Sequence, residues 1–184
     1  LEMEAGGGYY TEILSRAVGS SGSVIMQNPP ALNGFFEEAV QARLANNRLS
    51  NVTLSSVNFD ALDAASNSVD MVTWILGPHE LGFEPGGQNL GDPEGSFSQI
   101  ARVLKPGGVF LVMDHDASED SGIDVGGSLH RISEGLVSGL AEGAGLTLAR
   151  SSELHSNEDD PRDVGVFDPS IQGKTDKFVL LYRK

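Results

Sequence analysis

The stretch LEMEAGGGYYTE, residues 1–12, runs from a short apolar segment into three glycines and then directly into a helical pattern. Apolar residues follow it at helical spacing, at Ile13, Leu14, Ala17 and Val18. Glycines let the backbone turn sharply and approach a ligand, and the N-terminus of a helix presents unpaired N–H groups. The order strand, glycine turn, helix therefore indicates a cradle for a nucleotide-like ligand, with an ordinary tight turn as the alternative.

Length and composition exclude several classes of protein. The chain has 184 residues, which favours one domain with its own core, and no cysteine, which excludes disulfides, thiolate metal sites and cysteine nucleophiles. Its net charge of −14, from 26 acidic and 12 basic residues, repels phosphate backbones and anionic lipids. We therefore expect a small-molecule ligand, with no nucleic acid and no membrane as partner, and a homo-oligomer stays open. A cytoplasmic location is expected, but the first residue is not Met, so an upstream targeting segment also stays open.

Apolar runs alternate with helical patterns along the chain. Residues 69–76 (VDMVTWIL) are almost continuously apolar, as expected of a strand that is covered on both faces of a parallel sheet. The last two strands have no helix between them and should pair antiparallel. The order predicts one α/β domain over residues 1–184, with a doubly wound, mostly parallel, seven-stranded sheet. The predicted strands are residues 1–4, 23–27, 51–57, 69–76, 109–113, 146–151 and 177–182, and the later predicted helices are residues 35–46, 97–104 and 132–144.

Residues 77–95 form a long connection that is rich in glycine, proline and acidic residues. A connection of this length inside a compact domain is usually functional or mobile. Few of its residues can anchor it in a core. We expect a mobile lid that carries His79 into a substrate pocket shared with His115.

Several segments resemble the motifs of the class I S-adenosylmethionine-dependent methyltransferases, which have a Rossmann-like fold. The opening resembles their first motif, an acid at the strand followed by a glycine-rich loop. A narrower resemblance is to a little-characterised bacterial group of predicted methyltransferases. The broad resemblance is also carried by residues 59–72 and 104–112, and the narrow one by residues 6–12, 114–115, 129–131 and 166–178.

The resemblance implies methyl transfer from S-adenosylmethionine to a small molecule. Glu2 is expected to meet the ammonium group of the cofactor, and Asp60 the adenine amino group, with Asp63 as its rival. The chain starts at the central strand, so the resemblance also implies a domain without the helices that precede this strand in the family. The residues assigned to cofactor binding are Glu2, Glu4, Gly6, Gly7, Gly8, Asn28 and Asp60.

Two of these positions depart from the family pattern. Glu4 stands where the family usually has the first glycine of the loop. Asn28 stands where an acid usually grips the ribose hydroxyls, and an amide binds a diol without charge assistance. An acid at position 28 is therefore expected to strengthen cofactor binding.

His79, Glu80 and His115 are the candidate catalytic residues, because they follow the fourth and fifth strands. Methyl transfer chiefly requires alignment, and a base is needed only when the acceptor must lose a proton. His79 has a suitable intrinsic pKa for a base, and Glu80 could orient it. A surface histidine in a loop is the alternative.

Asp114, His115 and Asp116 combine oxygen and imidazole donors, which suit a hard or borderline metal ion. Neighbouring residues of a strand point to opposite faces, so these three do not converge easily, and no metal site is assigned. His130 and Arg131 open the next predicted helix, where they either serve capping and surface pairing or return towards the site.

Two other functions compete with methyl transfer. Glu4, Asn28 and the missing front helices favour a non-catalytic ligand-binding or interaction protein that keeps the fold. A dinucleotide-dependent oxidoreductase is weaker, because the second strand does not end in an acid and the chain closes with a hairpin.

Overall fold

A computed structural model describes all 184 residues of the chain and contains one seven-stranded sheet. The strands are β1 Glu2–Met3, β2 Val24–Gln27, β3 Val52–Ser55, β4 Val69–Ile75, β5 Leu104–His115, β6 Thr147–Ser152 and β7 Lys177–Arg183. The helices are α1 Tyr9–Val18, α2 Asn33–Leu44, α3 Pro93–Val103, α4 Val125–Leu129 and α5 Glu134–Gly143.

The strands lie in the order β3-β2-β1-β4-β5-β7-β6. Strands β1 to β5 pair in parallel, while β7 runs antiparallel to both β5 and β6. Glu2 is in register with Met26 on one side and with Thr73 on the other, which places β1 between β2 and β4. The predicted doubly wound sheet with an antiparallel closing strand is confirmed.

One face of the sheet is packed with aromatic side chains under α3 and α5. Trp74, Phe97, Phe110 and Tyr182 are all fully buried, and neighbouring rings lie about 6 Å apart. The opposite face of the central strands is less well covered. An apolar groove of about 260 Å³ lies there, between this face and α1.

Element boundaries differ from the prediction where polar residues end or extend an element. Strand β5 begins at Leu104 rather than at residue 109, because the turn before it already pairs with β4. Helix α3 begins at Pro93 rather than at residue 97, since the Asp92 side chain caps it by accepting a hydrogen bond from the Gly95 amide at 2.7 Å.

The segment from residue 77 to residue 95 is anchored, which corrects the prediction of a mobile lid with few anchors. A short 3₁₀ helix, Pro78–Gly82, buries the side chains of His79 and Leu81. A Cβ atom at Gly82 would lie only 1.8 Å from the carbonyl oxygen of Ile123, so this turn packs directly against the segment before α4. Leu90, which is 1% exposed, anchors the far end. None of the helices is both long enough and apolar enough to cross a membrane.

Candidate functional site

The carboxyl ends of β1, β4 and β5 meet at one edge of the sheet, because parallel strands end on the same side. Gly6–Gly8 follow β1, the helix Pro78–Gly82 follows β4, and His115 ends β5. The topology therefore gathers three segments that are far apart in the sequence.

The glycine loop has the backbone that only glycine adopts readily. Gly6 and Gly8 have φ values of +54° and +80°, and helix α1 starts directly after them. The amide of Gly7 donates to no group of the chain. A Cβ atom at Gly7 would lie 2.9 Å from that of Ala39, so this glycine also allows α2 to approach.

Asn28 supports this loop from behind. Its Oδ1 atom accepts from the Gly6 amide at 2.8 Å, and its Nδ2 atom donates to the Gly6 carbonyl at 3.0 Å. The side chain is buried, and both ends of its amide are used. Asn28 therefore holds the loop in place instead of presenting a free group to a ribose.

Glu4 points into the crevice between the ends of β1 and β4. Its backbone is left-handed, with a φ of +48°, and its carboxylate accepts from Nε1 of Trp74 at 3.3 Å. A Cβ atom at Gly77 would lie 2.3 Å from Glu4 Oε2, so glycine at position 77 leaves room for this carboxylate. Burial, together with the nearby carboxylate of Glu80, raises the pKa of Glu4 well above its usual value.

Glu2 and Asp60 both have partners within the chain. Glu2 lies beneath α1, where it is 3% exposed and accepts a hydrogen bond from the hydroxyl of Thr11. Burial raises the pKa of Glu2 to about 7. Asp60 accepts from the Asp92 amide at 3.0 Å and so fixes the connection that leads to α3. Its rival Asp63 accepts from the hydroxyl of Ser55 at 2.9 Å.

His79 is 5% exposed and is held by Asp114. Its Nδ1 atom lies 2.9 Å from Asp114 Oδ1, and its backbone amide donates to Oδ2 at 2.8 Å. Burial opposes a charged ring, but the adjacent Asp114 and the contact with Glu80 outweigh it and raise the pKa of His79 to about 10. At neutral pH the ring thus already carries the proton that a base would have to accept.

Glu80 lies between two histidine rings. Its Oε1 atom is 3.4 Å from Nε2 of His79 and 3.9 Å from Nδ1 of His130. The other oxygen, Oε2, is buried and has no hydrogen-bond partner. His130 comes from the end of α4, and its place beside Glu80 agrees with the expected alternative that it returns towards the site.

His115 lies beside the same group, with its ring 6.3 Å from that of His79. Its Nδ1 atom and the hydroxyl oxygen of Thr175 are 2.7 Å apart. Burial lowers the pKa of His115 to about 4, although Asp114 opposes this shift. His115 is therefore uncharged at neutral pH. The three candidate catalytic residues do come together.

Arg131 is not a surface residue, which corrects the sequence-based expectation of surface pairing. It is 0% exposed, and its guanidinium donates two hydrogen bonds to Asp160, at 2.9 and 3.0 Å. It also donates to the carbonyl oxygens of Asp116 and Val164. Arg131 therefore ties the segment before β7 to the end of β5, next to the site. Only its tertiary partners distinguish it from an exposed arginine.

Comparison with known proteins identifies the family. A family model described as "Methyltransferase domain" matches residues 1–112. The chain belongs to this methyltransferase domain family. The expected membership of the methyltransferases is thereby confirmed. S-adenosylmethionine is the cofactor of the class I methyltransferases whose fold the chain shares.

Relatives of the methyltransferase domain include ubiquinone/menaquinone biosynthesis C-methyltransferases named UbiE. The protein from Marinomonas sp. is 30% identical over 120 residues, which cover 65% of this chain and 43% of the relative. The protein from Legionella pneumophila (strain Corby) is 30% identical over 115 residues, which cover 62% of this chain and 41% of the relative. The chain therefore spans less than half the length of these curated relatives.

Solved structures share the fold at low sequence identity. A SAM-dependent methyltransferase from Aquifex aeolicus superposes with a TM-score of 0.68 at 20% identity, covering 99% of this chain and 79% of the other. The [4+2]-cyclase SpnF also superposes with a TM-score of 0.68, at 15% identity, covering 100% of this chain and 74% of the other. A cyclase shares this architecture, so the fold alone does not identify the reaction. The function has to be argued from the residues of the site.

The site residues fit the methionine end of the cofactor better than its ribose. The cofactor carries positive charge on its sulfonium and ammonium groups, and the crevice holds the carboxylate of Glu4. The glycine loop offers the free amide of Gly7 to a carboxylate. Asn28, in contrast, has no free group for the ribose hydroxyls.

Proposed function

We propose that this protein transfers the methyl group of S-adenosylmethionine to a small-molecule acceptor. The observation that carries the proposal is the meeting of the glycine loop with the buried histidines and carboxylates, at one edge of a methyltransferase fold. In this proposal Gly6–Gly8 and Glu4 hold the methionine end, with Asp60 near the adenine. The bound cofactor supplies a methyl group on a positively charged sulfur.

The residues of the chain mainly orient the acceptor and exclude water. Alignment of the two reactants is the chief requirement of an in-line displacement. Asp114 fixes the ring of His79, so this ring keeps its place and its proton. His115 has an uncharged ring and is the group that can accept a proton from the acceptor.

A ring carbon of a hydroxylated aromatic compound is the acceptor that we favour. The curated relatives are named as C-methyltransferases of quinone biosynthesis. Two aromatic side chains lie beside the site, with the rings of Phe83 and Phe167 at 6.1 and 5.2 Å from that of His130. Such side chains favour a flat aromatic ligand.

Calorimetric titration of the chain with S-adenosylmethionine and S-adenosylhomocysteine tests the cofactor. The second ligand lacks the sulfonium charge, so a carboxylate near the sulfur should favour the first. Glu4→Gln should weaken S-adenosylmethionine binding about tenfold, equivalent to about 1.4 kcal/mol, and change S-adenosylhomocysteine binding less. Glu84→Gln is the matched control, because Glu84 is exposed. Absence of binding by the wild-type chain would refute the proposal.

A non-catalytic ligand-binding protein is the second candidate. Asn28 favours this candidate, because both ends of its side-chain amide bond to Gly6 and none is left for the ribose of the cofactor. Incubation with S-adenosylmethionine and hydroxylated aromatic compounds separates the two candidates. Formation of S-adenosylhomocysteine supports transfer, whereas binding without product supports the second candidate. A homo-oligomer and a cytoplasmic location stay predictions.

A further inference from the structure

Three possible metal ligands converge beside the ends of β4 and α4. One ligand atom each from His79, Glu80 and His130 lies within 4.8 Å of the other two. Nε2 of His79 and Nδ1 of His130 are the ring atoms that approach the Glu80 carboxylate. We propose that these residues, which we call the His-Glu-His group, bind a divalent ion of borderline softness such as Zn²⁺. Two imidazoles and one carboxylate form a donor set that such ions prefer.

The distances suit a metal with little rearrangement. Ligand atoms about 2.0–2.1 Å from a tetrahedral Zn²⁺ ion are roughly 3.3 Å from one another. The His79–Glu80 pair is already at 3.4 Å, and the His130–Glu80 pair is at 3.9 Å. The latter distance is too long for a hydrogen bond. Metal binding requires the half-buried His130 side chain to move towards Glu80 and His79, which offers a ligand atom within 4.8 Å of it.

His79 is oriented as a metal ligand usually is. Its Nδ1 atom faces Asp114, at 2.9 Å from one carboxylate oxygen and 3.0 Å from the other. A carboxylate behind a metal-binding histidine fixes the ring and makes it a better donor. Nε2 then points at Glu80, and Zn²⁺ binding there would displace the proton that this nitrogen carries in the metal-free chain.

A buried oxygen without a partner in the chain also favours a cation at this position. Oε2 of Glu80 has no hydrogen-bond partner, although the side chain is only 13% exposed. A buried carboxylate oxygen normally has a partner, because leaving one unpaired is costly. An ion pair between His79 and Glu80 alone would leave both this oxygen and His130 without a function. A metal ion gives a function to both.

Calorimetric titration of the apo chain with Zn²⁺ tests this site without cofactor or turnover. We expect one equivalent to bind to the wild-type chain. His130→Asn should weaken this binding at least about tenfold, because a ligand is lost. Asparagine tolerates the left-handed backbone of residue 130, which has a φ of +53°, so the variant should fold.

Two further variants complete the test. Glu80→Gln should also weaken binding, because it removes the charge of the shared ligand. His155→Asn should bind like the wild type, since His155 is an exposed histidine outside the group. The proposal is overturned if the wild-type chain binds no Zn²⁺, if His130→Asn and Glu80→Gln leave the affinity unchanged, or if His155→Asn reduces it equally. These results do not depend on S-adenosylmethionine binding, so they are distinct from the test of the proposed function.

Discussion

One carboxylate, that of Asp114, holds both the ring and the backbone of His79. Nδ1 of His79 lies 2.9 Å from Asp114 Oδ1, and the His79 amide donates to Oδ2 at 2.8 Å. Asp114 belongs to β5, whereas His79 belongs to the turn that follows β4. This pair therefore fixes the first turn after β4 against the neighbouring strand and decides where the site residues lie.

Asp114→Asn should destabilise the fold by about 1–3 kcal/mol, because two buried donors lose a charged acceptor. Urea unfolding of the variant and the wild type measures this loss. Asp70→Asn is the control, since Asp70 pairs only with Lys105 at the surface and should show little change. Equal effects of the two substitutions would contradict a special role for Asp114.

Asn28→Asp should weaken S-adenosylmethionine binding, which reverses the expectation from the sequence. An aspartate has no donor for the Gly6 carbonyl, so a carboxylate oxygen would face that carbonyl instead. A loss of about 1–3 kcal/mol in unfolding free energy should accompany the weaker binding. Asn33→Asp, at an exposed asparagine, is the control. Tighter binding by Asn28→Asp would show that residue 28 turns towards the ribose.

Glu2→Gln should change how stability depends on pH. The pKa of Glu2 is raised from 4.5 to about 7, so the folded state holds this proton more tightly than the unfolded state does. Its stabilising contribution is complete below pH 4.5 and is lost as the pH rises through about 7. The free energy of unfolding falls by about 3 kcal/mol over this range. Glu2→Gln should abolish this part of the slope, measured by urea unfolding across the pH range, while Glu37→Gln should keep it.

Asp160→Asn should destabilise the fold by about 3 kcal/mol, because Arg131 would remain buried with a weakened partner. Hydrogen exchange should also become faster in the segment before β7, which this ion pair holds in place. Arg16→Gln is the control, since Arg16 lies at the surface and pairs with Glu12. Unchanged exchange in Asp160→Asn would mean that other contacts hold the segment.

The fold could be predicted from the sequence because its signals are local. The apolar run of β4, the glycines after β1 and the helix-free end of the chain each depend on residues that are close in sequence. The order of strands and helices along the chain then predicted a doubly wound sheet with an antiparallel last pair, since parallel strands need crossover connections and the last pair has none. The order also placed His79, Glu80 and His115 at the edge of the sheet where ligands bind.

Only the tertiary structure decided what these side chains do there. The sequence suggests an ordinary histidine pKa of 6.5 for His79, but Asp114 raises this pKa to about 10 in the folded chain. His130 joins Glu80 across some 50 residues of chain, and Asn28 uses its amide on Gly6 rather than on a ligand. Partner distance, burial and local charge determine such roles, and all three depend on residues that are far apart in the sequence.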